Sequence, residues 1–202
     1  MGVAVTGDAR ASASWSWEDT IGWLRTQPDQ AELVVSGYYD DPLEAAACRY
    51  WRSEEWQAIL SLLPTPTVGT VMDLGAGRGI TSYALAKAGY RVVAVEADPS
   101  ALVGAGAIRR LGQETGLPIE VQMSSSGPLP FPGESFELVF GRAVLHHLTD
   151  LEKDFKVQNI LPECSDSVIE ESGLNDIQQT FSEFAEVMRG RAQVDHAAAP
   201  VF

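Results

Sequence analysis

Ten consecutive residues, Val71-Met72-Asp73-Leu74-Gly75-Ala76-Gly77-Arg78-Gly79-Ile80, leave this chain few folds to choose from. A short apolar run ends in a carboxylate, three glycines follow at alternate positions, and an alanine-rich run comes next. That order reads as strand, tight loop and helix start. Glycine suits the loop because a side chain would keep the backbone from approaching a ligand, and because such a turn takes positive φ. Beyond it, the first N–H groups of the helix lack an intrahelical partner and can face a polar ligand.

The alternation continues downstream. Thr70–Asp73 is expected as a first strand, Gly79–Ala88 as a helix stopped by Gly89, and Arg91–Glu96 as a second strand, apolar on both faces. Asp98-Pro99 opens a helix to about Leu111, Leu117–Met123 is a third strand and Phe136–Phe140 a fourth. Strands alternating with helices at this spacing predict an α/β fold, a doubly wound Rossmann-like parallel sheet of four to five strands.

Ahead of it, residues 1–14 read as a disordered tail and 15–66 as a helical lid. Its helices fall near Trp15–Leu24 and from Pro42 onward, the latter capped by Asp41, re-capped at Ser53 and stopped at Pro64. Residues 67–202 form the nucleotide-binding domain, atypical from about residue 152, where 157–180 reads as an insertion and Asn175–Gly190 as a helix. Without a recognisable fifth strand the fourth would be a bare sheet edge, which soluble proteins cover. The tail, a second copy or a partner chain is expected over it.

The 14 Lys and Arg against 28 Asp and Glu give a formal charge of −14, which disfavours nucleic acid and anionic membranes as partners and favours a small neutral or cationic substrate. No apolar stretch reaches the ~18 residues of a membrane span. Cys48 and Cys164 sit in no metal-ligand spacing, so no metal is expected, and unpaired thiols fit a cytoplasmic protein.

The ligand class follows from two carboxylates and one missing glycine. Glu96 ends the second strand 23 residues after Asp73, where a doubly wound fold places an acid to accept from ribose hydroxyls. Gly77 is followed by Arg78, Gly79 and Ile80, so GxGxG is present and the dinucleotide GxGxxG is not. No Gly-Lys-Ser/Thr follows either, which excludes a phosphate loop. Asp73 would repel a pyrophosphate, but it suits the cationic amino end of S-adenosylmethionine.

In order along the chain, VMDLGAGRGI, VVAVEADPSAL, LPFPGESFELVF and AVLHHLTDL resemble the class I S-adenosylmethionine-dependent methyltransferases, particularly the small-molecule group of ubiquinone and menaquinone biosynthesis. The resemblance spans about Val68 to Leu151. It implies S-adenosyl-L-methionine as cofactor, with Asp73 and the backbone of Gly75 and Gly77 at its methionine end and Ala76 between them. Glu96 would take the ribose hydroxyls and Ala97 would pack on adenine. Ser125 stands four residues before Leu129-Pro130-Phe131, where the family usually carries an acid that accepts from the adenine amino group.

Gly141 and Arg142 would border the methyl-transfer site. His146 and His147 would either line the acceptor pocket, one of them as a base for a hydroxyl or amine, or pack at a helix start. Tyr38, Tyr39, Arg49, Tyr50 and Trp51 read either as an aromatic lid over the cofactor or as packing among the leader helices. The expected chemistry is direct displacement at the sulfonium methyl by an O, N, C or S nucleophile of a small acceptor. The protein then mainly aligns the reactants and excludes water. The alternative is a non-catalytic domain that binds the cofactor or its demethylated product, or a subunit that depends on a partner chain.

Overall fold

The computed structural model describes residues 16–66, 69–124, 129–132 and 135–144. Four helices come first, α1 (Trp17–Leu24), α2 (Ala31–Ser36), α3 (Leu43–Trp51) and α4 (Glu54–Leu62), with a 3₁₀ turn over Pro28–Gln30. Strands and helices then alternate as β1 (Thr70–Leu74), α5 (Ile80–Lys87), β2 (Arg91–Glu96), α6 (Ala105–Thr115), β3 (Ile119–Met123) and β4 (Leu138–Gly141). The sheet is parallel throughout, in the order β3-β2-β1-β4. The doubly wound, Rossmann-like α/β fold expected from the sequence is therefore present, with four strands among the described residues. β4 is the outermost described strand on its side.

Side chains of alternate residues point to opposite faces of a strand, so the apolar strands feed two cores. Val71, Val92, Leu138 and Phe140 pack with α3, α5 and α6 on one face. Met72, Leu74, Val93 and Val95 pack with Phe136, Leu129 and Phe131 on the other. Seven of the eight residues of α5 are buried, because α3 lies against its outer side. The alanines Ala46, Ala47 and Ala84, all at 0% exposure, allow that close approach. Tyr50 and Trp56 complete the same cluster, so α3 and α4 share a hydrophobic core with the sheet.

The local signals locate the elements better than their ends. Ser16 caps α1 in a reciprocal box with Asp19, and Ser53 caps α4 by accepting from the Trp56 N–H at 3.1 Å. α3 begins at Leu43 after Pro42, and Asp41 does not cap it, because its carboxylate is held by two arginines. α6 begins at Ala105, well beyond Asp98. The intervening turn is tied by Ser100 N–H to Asp98 Oδ1 at 2.7 Å and by Ala105 N–H to the Asp98 carbonyl at 2.8 Å. A Cβ on Gly104 would lie 2.1 Å from that carbonyl oxygen, so the chain passes too close there to have continued as a helix. α2 carries no cap or period that marked it in the sequence.

The tail at 1–14, the helix expected at Asn175–Gly190 and the insertion at 157–180 lie outside the described residues. Among the described residues no helix is long and apolar enough to cross a membrane, and no group of three or more His, Cys, Asp or Glu is placed to hold a metal.

Candidate cofactor site

The carboxyl ends of the four strands share one edge of the sheet, and the turn after β1 opens there. In the order β3-β2-β1-β4 the chain leaves β1 toward β2 on one side, while β4 returns on the other. A ligand crevice is expected outside such a reversal. Asp73 pairs with Ala94 on one side and Phe140 on the other, so it stands at the centre of this edge.

Asp73 is 1% exposed and accepts a hydrogen bond from Ser82 Oγ at 2.5 Å. Ser82 belongs to the first turn of α5, which the glycine loop folds back against β1. Burial pushes the Asp73 carboxyl up to about 7; the Ser82 bond and Arg142 oppose the shift and Glu96 adds to it. A buried carboxylate held near neutrality gains most from a cation brought beside it, which is the chemistry a ligand's ammonium group supplies.

The loop itself runs through positive φ at Gly75 (64°) and Gly77 (54°). The two positions differ in surroundings. A Cβ on Gly75 would come within 2.3 Å of Val144 Cγ2, in the segment after β4, whereas one on Gly77 would meet nothing nearer than the Val103 carbonyl at 4.0 Å. Gly75 thus seats the post-β4 segment, and Gly77 leaves room in front of the loop. Ala76 donates its N–H to the Val95 carbonyl at 3.1 Å and buries its methyl with Ala94 and Ile108. Both substitutions Gly75→Ala and Gly77→Ala meet the left-handed backbone penalty of about 1–2 kcal/mol, and Gly75→Ala adds an overpacking cost of about 1–3 kcal/mol. In urea melts Gly75→Ala is expected to lose at least ~1 kcal/mol more than Gly77→Ala.

Glu96 closes the site from the β2 side. Its Oε2 accepts from the Gly77 N–H at 2.6 Å, and its Oε1 accepts from the N–H groups of Ala97 and Asp98, both at 2.8 Å. Glu96 therefore ties the glycine loop to the end of β2, a link that no spacing in the sequence announces. Ala97 is exposed beside it. Gly141 ends β4 opposite Leu74, and Arg142 follows, donating from Nε to Glu55 Oε1 at 2.9 Å with its guanidinium 5.1 Å from the Tyr50 ring and 5.6 Å from the Tyr38 ring. Ser125, His146 and His147 lie outside the described residues.

The aromatic residues singled out in the sequence divide. Tyr50 and Trp51 pack with Trp56 in and against the α3–α4 core. Tyr38 stands edge-on to Tyr50, at 5.4 Å, and takes the guanidiniums of Arg49 and Arg142 over its ring. Tyr39 meets Trp17 edge-on at 5.9 Å. Burial pushes both phenols up from their ordinary value, so neither is a base near neutral pH. Sequence reasoning missed Ser82 and Arg25 and read Asp41 only as a helix cap, because their partners lie on other elements. A separate shallow groove of about 630 Å³, lined by Thr70, Arg91, Pro118, Glu120 and Phe131 among others, opens at the opposite ends of the strands and contains none of these groups.

Residues 72–158 match the family described as a methyltransferase domain. Over 137 residues, 67% of this chain, the sequence is 31% identical to a ubiquinone biosynthesis O-methyltransferase from Methylobacterium sp. (strain 4-46), covering 49% of that protein. It is also 31% identical over 84 residues to the uncharacterized methyltransferase YcgJ of Bacillus subtilis (strain 168), covering 41% of this chain and 32% of that one. The chain spans about half the length, or less, of the curated relatives it matches.

Similar solved structures include YcgJ from Bacillus subtilis, at 25% identity and a TM-score of 0.48 over 53% of this chain and 45% of that one. An S-adenosylmethionine-dependent methyltransferase from Aquifex aeolicus has 19% identity and a TM-score of 0.49 over 63% and 65%. The sequence match begins inside β1 and runs through the glycine loop, Glu96 and the strands around them, and together with the order of the parallel strands it supports a class I S-adenosylmethionine-dependent methyltransferase domain.

Proposed function

We propose that this protein transfers a methyl group from S-adenosylmethionine to a small-molecule acceptor. The observation that carries the reading is the pairing of a buried Asp73 with open space before Gly77 and a carboxylate, Glu96, at the end of the adjacent strand. These residues fit the cofactor. Asp73 would meet its ammonium group, the Gly75–Gly77 backbone its methionine half, Glu96 its ribose hydroxyls and Ala97 its adenine, with Ser125 as the acceptor for the adenine amino group. When bound, the cofactor supplies an already activated methyl group that passes directly to the acceptor.

The work left to the chain is alignment and exclusion of water. Val144 seated on Gly75 brings the post-β4 segment against the loop, and Gly141 with Arg142 borders the same crevice. His146 and His147 follow Val144 by two and three residues in sequence, and we assign them to the acceptor side, one of them as base where the acceptor is a hydroxyl or amine. The α1–α4 region serves as the lid. The formal charge of −14 favours a neutral or cationic acceptor. The direct test is release of S-adenosylhomocysteine across a panel of phenols, amines, thiols and carbon acids. Turnover with at least one class is expected, and binding of the cofactor without turnover of any would reverse the reading.

That reverse outcome is the second reading, a cofactor-binding subunit that needs a partner. Light scattering after size exclusion separates the two, since an active monomer removes the need for a second chain.

A further inference from the structure

Arg78 lies inside the glycine loop, yet its side chain, 3% exposed, leaves the loop for a segment some forty residues earlier. Its Nη1 donates to the carbonyls of Tyr38 at 2.8 Å and Asp40 at 3.0 Å, and its Nη2 donates to Asp41 Oδ1 at 2.7 Å. Arg25 holds the same segment from α1, donating from Nε to the Tyr39 carbonyl at 2.5 Å and from Nη1 to Asp41 Oδ2 at 2.7 Å. Arg49 holds the Asp40 carboxylate through both oxygens, at 2.6 and 3.0 Å. All four residues from 38 to 41 thus give an oxygen to an arginine.

The segment is held in a conformation it would not choose. Tyr38 has φ 59°, a left-handed backbone that a tyrosine adopts only where its surroundings over-determine it. Arg78 Nε and Arg25 Nη2 are buried without a hydrogen-bond partner among the described residues, so holding the segment carries a desolvation cost. The result is that Tyr38 reaches Arg142, just past β4, while Tyr39 reaches Trp17 of α1. The segment therefore joins the glycine loop, through Arg78, to the residue that follows β4, through the Arg142 guanidinium over the Tyr38 ring. At the far end of the same cap, Glu18 Oε1 accepts from the Leu102 N–H at 3.0 Å, beyond β2.

We propose that Arg78 is a positioning residue for the methionine half of the cofactor pocket, acting through the 38–41 segment that it clamps over β1 and β4. The assignment rests on the cofactor reading above. It makes the glycine loop the organiser of its own roof: one residue of the loop, which contributes no ligand contact, fixes the wall opposite the loop's backbone. The ribose and adenine side, built from Glu96 and Ala97, meets the loop through the Gly77 N–H and not through the Arg78 side chain.

This division gives a readout that general destabilisation would not produce. Calorimetric titration compares S-adenosylhomocysteine with 5′-methylthioadenosine, which keeps the nucleoside and lacks the amino-acid half. Arg78→Gln is expected to weaken S-adenosylhomocysteine at least tenfold and to leave methylthioadenosine within about twofold. Arg78→Lys, which keeps the charge and part of the reach, should recover most of the loss. Asp41→Asn, which leaves the loop's own sequence intact, should weaken S-adenosylhomocysteine about threefold with the same selectivity, and it carries the test if Arg78→Gln does not fold. Equal weakening of both ligands, or no weakening of either, overturns the assignment while leaving the cofactor reading in place. A wild-type protein that binds neither ligand overturns both.

Discussion

Glu96→Ala is expected to weaken S-adenosylmethionine at least 100-fold, the largest loss from any single carboxylate in the site except Asp73. Two effects combine. The first is the loss of two hydrogen bonds from ribose hydroxyls to a charged acceptor, at about 1.5–3 kcal/mol each. The second is release of the glycine loop, because the Gly77 N–H now bonded at 2.6 Å to Glu96 Oε2 is left to water along with those of Ala97 and Asp98. Glu96→Gln separates them. It keeps the shape and one acceptor oxygen, so it should hold the loop in part and cost about tenfold. Isothermal titration of the three proteins measures both, and equal affinity in wild type and Glu96→Ala would falsify the assignment of Glu96.

Asp73 should make cofactor binding depend on pH, and in the direction opposite to its effect on the empty protein. Its carboxyl is pushed up to about 7 by burial, with Glu96 reinforcing the shift and Ser82 and Arg142 opposing it. In the unfolded chain the value is about 3.9. Between about pH 4 and 7 the folded state therefore binds more protons than the unfolded one, so stability of the cofactor-free protein falls as pH rises through this window and levels off above it. A shift of about three units corresponds to roughly 4 kcal/mol as an upper bound.

A ligand ammonium beside Asp73 demands the ionised form. Affinity should accordingly rise up to about tenfold per pH unit below 7 and flatten above it, with close to one proton released on binding well below pH 7 and none well above it. Titrations in buffers of different ionisation enthalpy read that proton directly. Asp73→Asn removes the charge while Ser82 Oγ can still donate to the amide oxygen. The variant should be more stable than wild type at pH 8, bind the cofactor at least 100-fold more weakly, and show no proton release. A pH-independent affinity in the wild type would remove Asp73 from the ammonium contact.

Much of this site can be read from the chain because its requirements are local. A glycine loop between a strand and a helix needs its glycines at fixed offsets, and a strand covered on both faces needs an unbroken apolar run. Asp73 and Glu96 therefore stand out from their neighbours as carboxylates at strand ends, and the missing third dinucleotide glycine separates one cofactor class from another by spacing alone. The four strands and the capping of α4 by Ser53 follow from the same short-range sterics and hydrogen bonding. Where local signals were over-extended, as in starting α6 at Asp98, the turn closed by the Ala105 N–H on the Asp98 carbonyl, with Gly104 packed close against it, delays the helix to Ala105.

Other features have no local signature because each depends on a partner far along the chain. β4 pairs with β1 across more than sixty residues, Val71 beside Leu138, and this pairing places Arg142 and Val144 at the crevice. Asp73 becomes a group that titrates near neutrality only once α5, β2 and β4 have closed around it. Arg78 looks in the sequence like a tolerated residue between two glycines. Its role exists only in the folded chain, where a buried guanidinium must find acceptors and finds them in a segment that nothing within ten residues of it would suggest. Short-range sterics thus wrote the cofactor loop and the strands into the sequence, while the roof over the loop and the state of its buried carboxylate arose from long-range packing, because desolvation and hydrogen-bond partnering are properties of the assembled interior.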